Sequence, residues 1–288
     1  MAVIKHKFIF LIISTLLVIG SVVVLILFGL RPGIDFMGGT LWQVKGVTPE
    51  MLAELIPGSV IIPQSDGAFL VRTQEISEAD HQIFLAELRS QSPEFEEQRF
   101  DSIGPAIGQE LRRKALTAFV LVLVAISLYI AFAFRKVSRP VSSWKYGFIT
   151  LITLFHDAII PAGMMSFFGY LRGVEIDINF IVGILVVIGF SVHDTIVVFD
   201  RIRENVRLSK DPGADFPGLV GRSINETVAR SINTSLTLVL VLVALYFLGA
   251  VNLSYFTLVI LVGTVVGTYS SICIASPLLV LWKKGGPR

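Results

Sequence analysis

Two pairs of adjacent ionisable residues inside apolar runs are the first candidates for chemistry. His193 and Asp194 lie in GILVVIGFSVHDTIVVFDRIREN (183–205), His156 and Asp157 lie in the apolar run before it, and Arg230 opens the next one in ARSINTSLT (229–237). An ionisable group at membrane depth costs about 2.5–3.5 kcal/mol even on the mildest insertion scale, so each is a functional hypothesis. At 1.5 Å per helical residue, Asp194 lies about 22 Å in from Asn179 and Arg230 about 28 Å in from Gly249. A snorkelling arginine can close a gap of roughly 6 Å. An Asp194–Arg230 pair is therefore expected if their helices are neighbours, with Arg222 as the weaker candidate. Burial favours the neutral acid and a guanidinium favours the carboxylate, so a small change in separation moves the proton on or off and frees the arginine. A static pair that fixes helix packing is the alternative.

His193 cannot share a face with Asp194, because adjacent helical positions point about 100° apart. His156 and His193 each suit either a structural hydrogen bond or a proton relay. Two His-Asp pairs lack the i,i+4 spacing that places two metal ligands of one helix together, so no metal site is expected. Asp200, Arg201, Arg203 and Glu204 read as a solvated helix end with pairing along the helix.

The elements that position these residues are membrane spans. The 288 residues are 53% hydrophobic and 16% charged, with a mean hydropathy of +0.76, against roughly 45–50% and 25% in soluble domains. Apolar stretches long enough to cross a core of about 30 Å fall at roughly 8–30, 115–134, 145–169, 179–200, 232–249 and 253–282. The first has no small-residue cleavage site and reads as an uncleaved anchor. Lys5, Lys7, Arg135, Lys136, Arg139, Lys145, Arg201, Arg203, Arg207, Lys210, Arg222, Lys283, Lys284 and Arg288 all fall on one side, whereas loops 170–178 and 250–252 carry only Arg172. Both termini are thus expected in the cytoplasm, with the chain in the cytoplasmic (inner) membrane. A net charge of +2 gives no reason to expect nucleic-acid binding. The single cysteine, Cys273, excludes a disulfide framework within the chain.

Between the first two spans lies a polar segment, 31–112. It opens with GIDFMGGT (33–40) and continues with strand TLWQVKG, a helix capped by Thr48 with Pro49 first, and strand SVIIPQ. After Asp66-Gly67 come strand AFLVRT, a helix from Ser77, and strand EFEEQRFDSI. The β-α-β-β-α-β order predicts a ferredoxin-like domain, and Pro105 and Gly108 mark a hinge back into the membrane. The chain is read as a polytopic α-helical membrane protein with three parts: helix 1 at 1–30, a small α+β ferredoxin-like extracytoplasmic domain at 31–112, and transmembrane helices 2–6 at 113–288. No nucleophile–base set, P-loop or dinucleotide fingerprint is present, and no enzymatic activity is expected. The glycines of GIDFMGG fit tight geometry where a span becomes a strand. GTVVG (263–267) offers a small-residue face for helix packing. Val220, Ile224, Val228 and Ile232 form a stripe suited to the membrane interface, where RSIN recurs at 222–225 and 230–233 through helical periodicity.

GIDFMGGT, IGPAIGQEL before the second span, HD in the third, GFSVHDTIVVFDRIREN at the fourth and ARSINTSLT at the fifth together resemble the SecF family of bacterial protein-export subunits. His193 departs from the asparagine usual there. The resemblance implies a partnership with SecD, association with the SecYEG channel, exported unfolded polypeptides as substrate and membrane lipids as surroundings. It also implies an RND-type membrane core driven by the proton-motive force, with no cofactor beyond protons. Asp194 and Arg230 match the family's proton-conducting positions, and Asp157, His156 and His193 join them as candidates. Gly33, Asp35, Gly38, Gly39, Gly189, Arg201 and Glu204 fall in family motifs. Half of an RND-type small-molecule or lipid exporter, and a non-conducting scaffold of the translocase, are the alternatives.

Overall fold

The computed structural model describes residues 2–64, 67–135, 141–250 and 253–283. Asp66 of the expected turn, Lys136, Arg139, Lys284, Arg288 and positions 251–252 of the short loop lie outside them. In chain order the elements are α1 (Ala2–Lys5), α2 (Lys7–Phe28), α3 (Ile34–Met37), β1 (Gly39–Lys45), α4 (Pro49–Leu55), β2 (Val60–Pro63), β3 (Ala68–Thr73), α5 (Glu78–Gln91), β4 (Glu96–Ile103), α6 (Pro105–Ala133), α7 (Ser143–Arg172), α8 (Ile178–Leu208), α9 (Phe216–Leu248), α10 (Ser254–Ser270), a π-helical turn (Ser271–Ala275) and α11 (Ser276–Leu281). They form two compact units, one of residues 1–31, 118–174 and 179–288, the other of 32–117 with 175–178.

Among the described residues, six helices are long and apolar enough to cross a membrane: α2, α6, α7, α8, α9 and the composite Ser254–Leu281. The chain is a multi-pass membrane protein. α7, α8 and the last span are buried over half or more of their apolar windows, whereas α2, α6 and α9 turn most of theirs outward. Two starts differ from expectation. α6 begins at Pro105 rather than near 115, because proline at the first helical position loses only an N–H that would be orphaned anyway; Pro105 is the first residue of a continuous helix. α9 begins at Phe216, with Asp215 accepting from Gly218 N. Val220 and Ile224 are buried in the helical unit, whereas Val228 is half-buried and Ile232 exposed, so only the first half of the stripe expected at the membrane interface packs inward, on a helix that continues into the fifth span.

The second unit carries a four-stranded sheet in the order β2-β3-β1-β4, every pairing antiparallel, the arrangement of two interleaved β-α-β halves. Local signals set its helices. Thr48 Oγ1 accepts from Met51 N ahead of Pro49, and Ser77 Oγ accepts from Asp80 N, each satisfying a donor the helix leaves unpaired. Trp42, Val44, Leu52, Val71 and Leu88 fill the core, and the Trp42 indole donates to Glu97 at 2.8 Å.

GIDFMGG forms the short helix α3 ahead of β1. Gly38 and Gly39 have φ of +79° and +118°, and a Cβ on them would lie 2.7 Å from Pro105 Cα and 2.8 Å from Thr73 O; only glycine fits both backbones. Residues 175–178, which carry no motif, strap onto this unit. Gly33 N donates to Ile176 O at 2.8 Å, Arg72 pairs with Glu175, and Asp35 accepts from Ile178 N at 2.8 Å. Asp35 thereby caps the start of α8 from a distant point in the chain. Asp35→Ala is expected to cost about 1 kcal/mol locally, read as roughly fivefold faster amide exchange at Ile178, while Asp35→Asn keeps the acceptor and the slow rate. Equal exchange in Ala and Asn variants would show that no cap operates.

Candidate functional site

Two carboxylates sit near the midpoints of neighbouring spans, Asp157 on α7 at 0% exposure and Asp194 on α8 at 4%. Buried charge is tolerated only with polar partners, and here they are hydroxyls and one imidazole. Asp157 Oδ1 meets His156 Nδ1 at 2.8 Å. Its Oδ2 accepts from Ser270 at 2.7 Å and from Ser191. Asp194 Oδ2 accepts from Ser271, and the Ser231 hydroxyl of α9 lies beside the same carboxyl group, short of hydrogen-bond geometry. The imidazole extends the chain outward: Tyr269 OH meets His156 Nε2 at 2.6 Å, and Ser14 of α2 approaches Tyr269 OH at 3.5 Å. A cavity of about 220 Å³ bordered by Ser14, Thr15, Phe155 and Leu278 reaches His156.

The sixth span positions the donors. Consecutive helical residues diverge by about 100°, so Ser270 addresses the acid of α7 while Ser271 addresses that of α8. The π turn begins at Ser271, and Ser276 Oγ donates back to Ser271 O at 3.2 Å. Single π turns inside α-helices often mark functional sites. Pro277 follows it and Pro161 interrupts α7, where the missing proline N–H withdraws the helical bond from the Asp157 carbonyl. GTVVG is the face of α10 that meets α8: a Cβ on Gly263 would lie 2.2 Å from Val187 Cγ2, and one on Gly267 3.0 Å from Ser191 Cβ.

The expected site residues divide. Asp194, Asp157 and His156 come together in the buried chain. Arg230 does not join Asp194, which corrects the expected pair. It is exposed and lines a cleft of about 340 Å³ with Asp200, Arg201, Glu204, Glu226 and Thr227. Depth along the axis was a sound guide, but rotation decides contact, and the next residue, Ser231, holds the inward position. His193 is exposed on α8, and Gly189, on the outward side of the same helix, has open space where a Cβ would stand. Arg201 pairs with Glu204 and with Glu226 of α9, each at 2.6 Å; Arg203 pairs with Asp200 at 3.3 Å. Ser14, Ser191, Tyr269, Ser270 and Ser271 were not anticipated. The one signal for the last three was the polar triplet Tyr269-Ser270-Ser271 inside an apolar span.

Residues 83–285 match the family described as "Protein export membrane protein SecD/SecF, C-terminal". Protein translocase subunit SecF of Thermobaculum terrenum is 40% identical, the alignment covering 98% of this chain and 93% of that protein. SecF of Anaerolinea thermophila is 35% identical over 98% and 94%. The crystal structure of SecDF from Thermus thermophilus, described as a translocon-associated membrane protein, superposes with a TM-score of 0.80 at 35% identity, covering 98% of this chain and 38% of that one. Near-complete alignment to SecF proteins, and superposition onto part of a fused SecDF, mean that the chain belongs to the SecF branch of the SecD/SecF protein-export family.

Proposed function

We propose that this chain is an auxiliary subunit of protein export that converts proton binding at Asp194 and Asp157 into helix movement. The observation that carries this reading is the pair of buried acids bridged by consecutive serines of one span. A carboxylate accepts from Ser271; once protonated, it carries a donor of its own, and the serine must turn or yield. α9 offers the alternative partner. Ser231 and Arg230 are adjacent, so a rotation of α9 by about 100° replaces a neutral hydroxyl at Asp194 with a guanidinium when the acid is ionised. Alternating between the two arrangements, with access from opposite sides, makes each proton worth about 2.3 kcal/mol per 100 mV.

The like fold of SecDF supports a SecD-type partner for the outward faces of the helices, with SecYEG and exported polypeptides completing the working assembly. The lysine and arginine distribution supports cytoplasmic termini in the inner membrane. Preprotein translocation into inverted vesicles containing this chain, its SecD partner and SecYEG tests the reading. Asp194→Asn is expected to leave assembly and ATP-driven translocation intact and to remove the increment added by a proton gradient. An unchanged increment would assign Asp194 to packing and the chain to a scaffolding role.

A further inference from the structure

We infer that Arg135, Arg203 and Arg207 form a binding site for the phosphate of an anionic phospholipid, in the leaflet at the C-terminal end of α6. The three arginines line a cavity of about 340 Å³ with Phe132 and Ala133. Two guanidiniums are fixed from behind. Arg203 donates to the Ala133 carbonyl at 3.3 Å and lies over the Phe134 ring at 5.5 Å; Arg135 lies over the Phe132 ring at 3.8 Å. The end of a helix carries partial negative charge that opposes an anion, and Arg203 offsets it by taking that carbonyl. One carboxylate, Asp200, pairs with Arg203, and Arg207 has no ion pair among the described residues, so three cations against one anion leave a local surplus of two. Planar guanidiniums match phosphate oxygens in bidentate fashion.

The ground for a lipid over a free phosphate lies on α6. Leu121, Val124, Leu128 and Phe132, spaced by three or four residues, are 62%, 49%, 65% and 63% exposed. They form an apolar lane that runs down the span from the cavity's own Phe132. A phosphate joined to acyl chains fills both features, whereas inorganic phosphate fills only the first. Basic pockets between spans at a membrane boundary have this chemistry.

Native mass spectrometry of the full chain in neutral detergent tests the site, with phosphatidylglycerol and phosphatidylcholine of identical acyl chains as probes. Wild type is expected to retain phosphatidylglycerol preferentially. R135Q/R207Q leaves the helix-capping Arg203 in place and is expected to lower that retention about 25-fold, at roughly fivefold for each arginine near the surface. K210Q/R222Q removes the same charge elsewhere and is expected to change it less than about twofold. Inorganic phosphate equimolar with the lipid is expected not to displace it. Equal losses in the two variants would reduce the effect to general surface charge, and displacement by inorganic phosphate would assign the arginines to a free anion; either overturns the proposal.

Discussion

Asp157→Asn is expected to lower the gradient-driven increment of translocation by at least about tenfold with the chain still folded, whereas Asp157→Leu is expected to lose at least about 2 kcal/mol of stability. The two outcomes separate proton exchange from packing. In wild type three groups converge on this carboxylate: the His156 ring at 2.8 Å, the Ser270 hydroxyl at 2.7 Å and the Ser191 hydroxyl. Asparagine keeps the shape and one acceptor, and the serines can rotate to accept from its amide; only the exchangeable proton is lost. Leucine leaves His156 Nδ1 and the Ser191 hydroxyl unpaired in a buried site, at about 1–3 kcal/mol each, whereas Ser270 keeps its bond to Gly267 O at 3.1 Å and His156 Nε2 its contact with Tyr269. Translocation into inverted vesicles reads the first effect, and thermal unfolding in detergent the second. If the asparagine variant translocates like wild type, the Asp157 branch is structural and Asp194 alone carries the coupling. If leucine is tolerated, the hydroxyl cluster does not hold the helices together.

The contrast between Asp157 and Arg230 marks what sequence can and cannot place. Counting residues fixes depth, because the rise of a helix is constant, and both acids do lie at mid-span. Contact also depends on each helix's rotation about its axis, which is set by packing. Ser231 faces inward and Arg230 outward because the buried positions of α9, including Ser223, Thr227, Ser231 and Ser235, follow a small-residue stripe that lets α9 approach its neighbours. A hydrophobicity pattern reads those residues as weakly polar and gives them no orientation. The serines of the sixth span were hidden for the same reason: hydroxyls in spans commonly bond back to their own helix, as Thr268 does to Thr264 O, and only tertiary packing singles out Ser270 and Ser271.

The sheet-bearing unit was more legible. Its helices are capped at Thr48 and Ser77, and AFLVRT coincides with β3. Its missing parts were non-local. Asp35 looks like an acid in a glycine-rich turn until residue 178 is brought to it, and the strap at 175–178 has no periodicity to betray it. Helix starts at Pro105 and Phe216 were set late because apolar windows detect the part of a helix that lies in lipid, and both helices run beyond it.

Gly263→Ala is expected to destabilise the chain by about 1–3 kcal/mol, the usual cost of overpacking, and Val187→Ala to restore most of that loss when the two are combined. A Cβ at Gly263 would lie 2.2 and 2.6 Å from the two Val187 methyl carbons and 2.9 Å from its Cβ, so valine must move or the helices must part. Removing the valine methyls alone leaves a void worth about 2 kcal/mol, yet in the double variant the new methyl occupies part of that void. The cycle should therefore show a coupling of about 1–3 kcal/mol, measured by thermal unfolding in detergent. Parting the helices at Gly263 also draws α10 from α8 one turn before Gly267 and Ser270, where the hydroxyl contacts to the two acids begin. Gly263→Ala is thus expected to lower the gradient-driven increment together with stability, and the double variant to recover both. Additive losses would mean that Gly263 and Val187 do not bear on each other. Recovery of stability without recovery of translocation would mean that the small-residue face holds the helices together without setting the geometry of the acids.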